Sequence, residues 1–567
     1  MDEVFMPNEI IPILLLIDGL TWIAMSIFAH AFGIDPNPEW GRARIFMLLA
    51  GMVFVLASAV SISKNRAALF LAQILKSEGA KTFFLLAHFW IPIIAIYAWF
   101  VTFGNFTTWN HTSQYYSRLA NAFEKGHTNI NLNPGDALIN AIDPYDPKSR
   151  APFPDEVWDM SFYKGKLYYY WGPVPALIIM PLQSLLGIKV TDNYLVFFFS
   201  AGLLVFNSLI IVKLWRIFFQ HLAIWNMVIA IPLIGLILPV IWNTSVPYVY
   251  EAAVSAGQFF LMGGVYFTIS ALERNPSINI GKLLVASLFL VCAVGSRTIH
   301  APSIIFLAFF ISFWIVKTTS GSARWVRLIT AISALYIPLA SGALTIGWYN
   351  WVRFDSLFEF GLRYMITTYD LNEQANLIFK PDYFFLNFYA YLFQPFELIS
   401  KFPFIQPVVF SNVLTTFGIE QPHLYYAGRI TGIIFSSPFL ALGLIPLFSR
   451  SNFLNNKNDG STFNLYLLVI ALFAGSFLIG FLSLLFYFTA QTRFLTDIIS
   501  QITMLAILGY WTLISIRQRF HTTGAKMLLT VANGLIIFTL CAGFLLAISG
   551  ETNRMETLNP LLFEKIR

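Results

Sequence analysis

Apolar stretches long enough to cross a lipid bilayer recur along nearly the whole sequence. A transmembrane helix needs about 20 mostly apolar residues, and here turn residues and charges are confined to the gaps between such stretches. We therefore expect an all-α polytopic membrane protein with about 13 transmembrane helices. The predicted spans are 10–33, 44–63, 83–103, 194–215, 222–241, 252–272, 282–296, 302–318, 328–347, 432–449, 463–489, 494–515 and 526–548.

The composition agrees with a membrane protein and excludes several other classes. Hydrophobic residues make up 57% of the chain and charged residues 11%, which a soluble globular protein does not tolerate. Cys292 and Cys541 both lie in apolar stretches, so neither a disulfide framework nor a thiolate metal site is expected. The formal charge of +6 indicates contacts with anionic lipid headgroups rather than with nucleic acid.

The distribution of basic residues predicts how the chain is oriented. Lys and Arg concentrate in alternate short gaps, which the positive-inside rule assigns to the cytoplasm. These residues are Lys64, Arg66, Lys76, Lys81, Lys213, Arg216, Arg274, Lys282, Lys317, Arg324, Arg327, Arg517, Arg519 and Lys526. The alternation requires that Trp171–Ile188 does not cross the membrane, and this stretch is short and interrupted by prolines. We expect it to form an interfacial or re-entrant helix.

This orientation places the N-terminus in the cytoplasm and the C-terminus outside. Two long loops, roughly 104–193 and 350–431, then face the outside of the membrane. The first residues, Met1-Asp2-Glu3, include no basic segment, so the first apolar stretch is interpreted as a retained span rather than a signal peptide.

The first long loop begins with a predicted amphipathic helix on the membrane surface. Tyr115, Tyr116, Leu119, Ala122 and Phe123 fall at helical spacing. A side-chain cap is expected from Thr112 or Ser113, and Gly126 is expected to end the helix.

Aspartates and aromatic residues follow this helix. Asp143 and Asp146 each precede a proline, a pattern typical of turns. An alternative is that they converge with Asp159 beside the membrane. Carboxylates abstract protons or bind a divalent cation, and aromatic faces pack on sugar rings.

Three strings in this loop carry a family resemblance: Asp143-Pro-Tyr-Asp-Pro, Trp158-Asp-Met-Ser-Phe-Tyr-Lys-Gly-Lys and Tyr170-Trp-Gly-Pro-Val-Pro. They resemble bacterial multispan proteins of the GT-C glycosyltransferase superfamily, relatives of the protein O-mannosyltransferases and aminoarabinose transferases. The resemblance covers roughly residues 83 to 515. It implies a seven-span module over 83–347 with its first outer loop at 104–193. The other parts are an N-terminal pair of spans (1–82), a second outer loop (348–431) and C-terminal spans (432–567).

The resemblance also implies a function. GT-C enzymes take a sugar from a polyprenyl-phosphate carrier, and an acidic residue early in the first outer loop acts as base or metal ligand. The expected partners are a lipid-linked sugar donor, a lipid, glycan or protein acceptor, and membrane lipids. The expected cofactor is a divalent cation, Mg²⁺ or Mn²⁺. The bacterial relatives imply a location in the plasma membrane and a role in the cell envelope.

The position of the usual base departs from the family pattern. The chain has Asn110-His111 there, with no acidic residue in the loop before Glu124. The candidate catalytic residues are therefore Asp143, Asp146, Asp159 and His111, since imidazole also titrates near neutrality.

Further candidates flank the outer ends of the spans. Glu251 is a candidate second carboxylate, and the alternative is a solvated acid at a helix start. Arg297 and Arg493 are candidate contacts for a leaving phosphate. Arg493 and Asp497 have the i, i+4 spacing at which two charges on one helix neutralise each other. Tyr170 and Trp171 are candidate sugar-binding aromatics.

Two functions remain as alternatives to a glycosyltransferase. A transporter or lipid-linked-sugar flippase would also have many spans, although its ionisable residues would be expected near mid-membrane. A non-catalytic GT-C relative is the other alternative. Asp18 lies inside the first predicted span, outside the glycosyltransferase-like module, and is interpreted as a helix-packing residue.

Overall fold

We describe a computed structural model of the protein. It covers residues 10–30, 35, 37–62, 78–106, 109, 113–148, 150, 155–274, 277–416, 418–448, 460–520, 523–551 and 553–566. Sixteen α-helices of eight or more residues lie in this part of the chain. They are α1 (Ile10–Ile27), α2 (Arg42–Ile62), α3 (Glu78–Val101), α4 (Tyr115–Glu124), α5 (Val174–Leu186), α6 (Asp192–Leu214), α7 (Ile224–Leu236), α8 (Leu238–Ser245), α9 (Val249–Leu272), α10 (Ile280–Ser296), α11 (Ala301–Thr318), α12 (Arg324–Phe354), α13 (Phe384–Phe393), α14 (Gly460–Leu485), α15 (Thr496–Phe520) and α16 (Thr523–Ser549).

Among the described residues, eight helices are long and apolar enough to cross a membrane. These spans are Thr82–Val101, Asp192–Phe219, Val249–Leu272, Thr298–Thr318, Arg324–Phe354, Asn464–Leu485, Thr492–Phe520 and Thr523–Ser549. A ninth is obtained if α7 and α8, which meet at an angle of 42°, form one broken span. The protein is therefore a polytopic membrane protein.

The predicted count of about 13 spans is not confirmed. The helices at the predicted spans 10–33, 44–63 and 282–296 are not among these eight, because their apolar stretches within the described residues are limited to Leu14–Ile27, Arg44–Ala59 and Ile280–Ser296. The span predicted at 432–449 is interrupted, because Ile433–Ser436 and Ile445–Phe448 are separated by the 3₁₀ turn Pro438–Leu444. Proline lacks the backbone N–H that a continuous helix requires, which explains the interruption.

Helix α5, over the stretch predicted not to cross the membrane, is also short. It has 13 residues, begins after Pro173 and is capped by Gly187, whose φ of 64° lies in the left-handed region that glycine adopts most readily. Gln183 of α5 accepts a hydrogen bond from Ser117 of α4 at 2.8 Å, so the two helices of the first loop pack together. The position of α5 relative to the membrane stays a prediction.

The central helices α6, α9 and α15 are joined by buried polar contacts. Asn207 donates a hydrogen bond to Ser500 at 3.0 Å, and Gln258 donates one to Gln501 at 2.7 Å. Side-chain hydrogen bonds of this kind hold transmembrane helices together where the lipid offers no hydrophobic driving force. Asp18 of α1 contacts His88 of α3 at 2.6 Å, in line with the helix-packing role that we predicted for it.

Short strands lie in and around the two long loops. In the first loop, β1 (Ser161–Tyr163) and β2 (Lys166–Tyr168) form an antiparallel hairpin. In the second loop, β3 (Phe396–Leu398), β4 (Ile405–Val409) and β6 (Arg429–Ile430) form an antiparallel sheet. The strand β5 (Tyr426–Ala427) pairs in parallel with β7 (Thr489–Ala490), which lies in the connection between α14 and α15.

The two long loops are joined directly to each other by hydrogen bonds. The N–H of Asp159 donates to the carbonyl of Ile366 at 3.0 Å, and the N–H of Ile366 donates to the carbonyl of Met160 at 2.8 Å. The hydroxyl of Ser161 donates to the carbonyl of Gly361 at 2.8 Å. The second loop therefore lies on the first and fixes the position of the segment that carries Asp159.

Candidate active site

Two buried ion pairs connect α9, the α10–α11 junction and α15. Arg493 donates to the carboxylate of Glu251 at 3.2 Å, and Arg297 donates to the carboxylate of Asp497 at 3.1 Å. The prediction that Arg493 and Asp497 neutralise each other is therefore wrong. Arg493 lies in a 3₁₀ turn before α15 begins, so the i, i+4 geometry of an α-helix does not apply to the pair.

Glu251 is not the solvated helix-start acid that was one of its two interpretations. Its side chain lies in the first turn of α9 and is 1% exposed. One carboxylate oxygen accepts from Arg493, while the other, Oε2, has no hydrogen-bond partner among the described residues. A buried carboxylate needs such a cation, because removing one partner of a buried ion pair costs about 3–5 kcal/mol.

Arg297 lies on the wall of a cavity of about 560 Å³. The cavity is formed where the ends of α10 and α11 meet the first loop and the segment 358–379 of the second. Its polar lining includes Ser296, Arg297, Glu359 and Arg363, and its aromatic and apolar lining includes Tyr170, Trp171, Ile299, Phe358, Phe360, Phe379 and Tyr487. Three predicted site residues, Tyr170, Trp171 and Arg297, therefore meet in one cavity.

Ser296 supplies a buried polar atom on this wall. The residue is 1% exposed, and its hydroxyl has no hydrogen-bond partner among the described residues. A buried hydroxyl without a partner costs about 1–3 kcal/mol, and such groups are rare in folded proteins. The hydroxyl is therefore a candidate hydrogen-bonding group for a ligand in this cavity.

Asp159 lies beside the cavity, on the first loop just before β1. The hydroxyl of Tyr250 donates to its carboxylate, and the Tyr250 ring lies 5.3 Å from the ring of the cavity residue Trp171. The guanidinium of Arg493 lies 4.2 Å from the Tyr250 ring. Burial raises the pKa of Asp159 above its ordinary value, although the Tyr250 hydrogen bond and Arg493 oppose this increase.

Asp143 and Asp146 are engaged in turns, as the first of their two interpretations predicted. Asp143 accepts the N–H of Tyr145 at 2.9 Å, and Asp146 accepts the N–H of Lys148 at 2.9 Å. Each contact joins residues two positions apart, the geometry of an Asx turn. The remaining candidate base, His111, lies outside the described residues.

Tyr170 and Trp171 form part of a larger aromatic group at the cavity. Their ring centroids are 4.4 Å apart, and Tyr115 packs edge-on against Trp171 at 5.1 Å. Burial raises the pKa of Tyr170 well above its ordinary value, so its hydroxyl remains a hydrogen-bond donor.

Several residues of this region were not selected from the sequence. Tyr250 and Ser296 are direct neighbours of the candidates Glu251 and Arg297, but nothing in the sequence indicates that their side chains point toward the same region. Glu359 and Arg363 lie in the charged and aromatic opening of the second loop, which is the signal that could have identified them. Their meeting with the first loop depends on long-range packing.

The donor groups described here do not fit the expected divalent cation. No group of three His, Cys, Asp or Glu residues in the described part of the chain lies close enough together to hold a metal ion. Glu359, which lines the cavity, accepts the N–H of Gly361 at 2.7 Å. The carboxylates around the cavity, Asp159, Glu251 and Asp497, are engaged by Tyr250, Arg493 and Arg297 respectively.

Comparison with known proteins gives only distant structural similarity. No family model and no curated protein matches the sequence. The apo oligosaccharyltransferase of Archaeoglobus fulgidus is 10% identical, with a TM-score of 0.38 over 84% of this chain and 59% of that chain. The complex of archaeal AglB from the same organism with an inhibitory peptide and a dolichol-phosphate is 12% identical, with a TM-score of 0.40, and 57% of it is covered.

The alignments thus span little more than half of the archaeal proteins' length. Another structure of the A. fulgidus enzyme, a complex with Zn and sulfate, is 11% identical, with a TM-score of 0.39. These neighbours are archaeal oligosaccharyltransferases.

Proposed function

We propose that the protein is a membrane glycosyltransferase of the GT-C type, which transfers a sugar from a polyprenyl-phosphate carrier to an acceptor hydroxyl on the extracytoplasmic face. The observation that carries this proposal is the cavity lined by Arg297, with an unpartnered Ser296 hydroxyl and an aromatic wall beside the Asp159 carboxylate. A sugar phosphate needs all of these groups: a cation for the phosphate, hydrogen-bonding groups for the hydroxyls, and aromatic faces for the ring.

The charge around the cavity favours a donor with a single phosphate. Arg297 and Arg363 contribute two positive charges, and Glu359, Asp497 and the deprotonated base Asp159 contribute three negative charges, so these five groups carry no excess of positive charge. A phosphodiester carries one negative charge and a diphosphate at least two. Since desolvating a second unpaired charge is costly, the monophosphate-linked sugar fits this environment better.

Asp159 is the base in this proposal. Its carboxylate accepts the proton of the acceptor hydroxyl while the acceptor oxygen attacks the anomeric carbon of the sugar. The bond between that carbon and the phosphate oxygen breaks, and polyprenyl phosphate leaves with the bonding electron pair. Arg297 stabilises the negative charge that develops on the phosphate. A single displacement of this kind inverts the anomeric centre.

The orientation and location complete the proposal. With the N-terminus in the cytoplasm, the cavity and both loops face the outside of the plasma membrane, where a lipid, glycan or protein acceptor would approach. The cavity lies at the ends of α10 and α11 rather than in the middle of the helices, which suits an enzyme better than a transporter.

Sugar transfer by the purified, detergent-solubilised protein tests this function. We would supply a panel of radiolabelled polyprenyl-phosphate sugars and compare the wild type with Asp159→Asn, Asp143→Asn, Asp146→Asn and His111→Ala. We expect transfer or slow donor hydrolysis that Asp159→Asn reduces by about 10³-fold, in the range of a lost general base, whereas the two turn aspartates can be replaced with little effect. No turnover with any donor would favour a transporter or a non-catalytic relative.

A further inference from the structure

Asp497 does not line the cavity itself, but it contacts the lining residue Arg297 from behind. Its side chain is 2% exposed. Its Oδ2 accepts from both Nε and Nη2 of Arg297, at 3.2 and 3.1 Å. Its other oxygen, Oδ1, lies 3.4 Å from Nε2 of His300. Asp497 thus joins α15 to two basic residues on the α10–α11 junction.

These contacts leave one end of the Arg297 guanidinium available. Nε and Nη2 face Asp497, whereas Nη1 makes no hydrogen bond to a residue that the structure describes. Because the guanidinium is planar, fixing two of its nitrogens also fixes the direction of the third. Arg297 lines the cavity, and its side chain is 18% exposed, so some of it remains accessible.

Two further contacts restrict the Arg297 side chain. The ring of Phe494 lies 5.0 Å from its guanidinium carbon. On the α9 side, a Cβ atom at Gly257 would lie 2.6 Å from Cβ of Arg297 and 2.8 Å from Nε2 of His300. Only a glycine leaves room for both side chains at this point. Arg297 is thus confined by an ion pair, an aromatic ring and a helix backbone.

We propose that Asp497 is a positioning residue, which holds Arg297 in the orientation that stabilises the leaving phosphate in the cavity. The inference rests on the proposed function and adds to it a residue that touches no substrate. During transfer, the phosphate gains negative charge, so an interaction with a correctly oriented Arg297 is stronger in the transition state than with the bound donor. Misorientation should therefore lower kcat more than it raises KM.

A double-mutant cycle tests this role. We would measure kcat and KM for the donor with the full-length wild type, Asp497→Asn, Arg297→Gln and the double variant. Asp497→Asn is expected to lower kcat by about 10-fold to 100-fold with a much smaller change in KM, the size of effect that a small misplacement produces. If Asp497 acts through Arg297, then Asp497→Asn causes no additional loss in the Arg297→Gln background.

Gly257→Ala provides a second test that leaves all charges in place. The added methyl group displaces Arg297 and His300, so it should reproduce the loss of kcat. It decides the question if Asp497→Asn does not fold, because removing one partner of a buried pair leaves the other charge unpaired. The matched control is Asp382→Asn, which breaks an exposed pair with Lys380 and should leave kcat unchanged.

The outcomes separate this inference from the proposed function. An active wild type with a non-additive cycle and an impaired Gly257→Ala supports the positioning role. An active wild type in which the losses from Asp497→Asn and Arg297→Gln multiply, or in which Gly257→Ala has normal kcat, overturns it while the proposed function stands. A wild type that transfers no sugar from any donor overturns both.

Discussion

Arg353 on the last turn of α12 donates a hydrogen bond to the backbone carbonyl of Tyr169 in the first loop at 2.6 Å. Its guanidinium also donates to the side-chain oxygen of Asn350 at 2.7 Å and lies over the ring of Tyr349, 3.8 Å from its centroid. The residue is only 4% exposed. This contact fixes the chain directly before the cavity residues Tyr170 and Trp171.

Replacing Arg353 by methionine should therefore loosen the first loop. The substitution keeps much of the apolar stem but removes the donors, leaving two buried acceptors without their partner. Hydrogen bonds to a charged group contribute about 1.5–3 kcal/mol each, so we expect a loss of at least about 2 kcal/mol. A lower Tm in detergent and faster protease cleavage between 126 and 170 would show it. Arg324→Met, at the exposed start of the same helix, is the matched control.

The amphipathic helix of the first loop illustrates what the sequence could predict. Tyr116, Leu119 and Ala122 were placed on one face by their spacing, and all three are buried in α4. The other two residues predicted for this face, Tyr115 and Phe123, are half-buried. The helix itself was predictable because periodicity is a local property of the chain, and its position on the membrane surface stays a prediction. The predicted side-chain cap is wrong, since the N-cap residue is Gln114 and it forms no capping hydrogen bond.

The cap failed for a long-range reason. The hydroxyl of Ser113 donates to Asp192, and the same carboxylate accepts the N–H groups of Tyr115 and Tyr116 at 3.0 and 3.2 Å. The acid that satisfies the start of α4 is thus 76 or more residues away in sequence. The predicted pairing of Arg493 with Asp497 failed for the same reason, because each of them forms an ion pair with a residue that is distant in sequence.

Asp192 should accordingly be important for the stability of the first loop. Asp192→Asn replaces a charged acceptor of two backbone N–H groups by a neutral amide, and we expect a loss of about 2 kcal/mol, with about 1 kcal/mol for Ser113→Ala. Hydrogen exchange of the α4 amides and the Tm in detergent measure both effects. Asp136→Asn, at an exposed position of the same loop, serves as the control. Unchanged exchange in α4 would contradict the role of Asp192 as its cap.

The pH dependence of transfer should reveal the environment of Asp159. Because burial raises the pKa of this carboxyl, the folded protein retains the proton over a pH range in which an ordinary aspartate has lost it. The base must be deprotonated to act, so the acidic limb of kcat/KM should lie at higher pH than for an ordinary aspartate. Transfer rates measured from acidic to neutral pH test this.

Tyr250→Phe should move that limb further in the same direction. The tyrosine hydroxyl donates to the carboxylate and lowers the pKa of Asp159, so its removal raises that pKa. Tyr163→Phe removes a similar hydrogen bond, from a hydroxyl to the exposed carboxylate of Asp355, and should leave the pH profile unchanged. A limb that stays in place in Tyr250→Phe would indicate that Asp159 is not the group that titrates.

Gly172 offers a steric test of the cavity wall. A Cβ atom at this position would lie 2.1 Å from the carbonyl oxygen of Gly295 in α10, which is far inside van der Waals contact. Since the three atoms nearest to the added Cβ all belong to the backbone of Gly295 and Ser296, Gly172→Ala must move the first loop away from α10. The move displaces Trp171 from the cavity that also contains Arg297.

We expect Gly172→Ala to cost about 1–3 kcal/mol of stability, the usual range for overpacking, and to raise the KM for the donor. Gly281→Ala, a helical glycine of α10 whose added Cβ would meet only the Asn279 side chain at 3.6 Å, is the control and should be neutral or slightly stabilising. The comparison needs only the Tm of each variant in detergent and its donor KM. If the two variants behave alike, the close approach of the first loop to α10 does not shape the donor site.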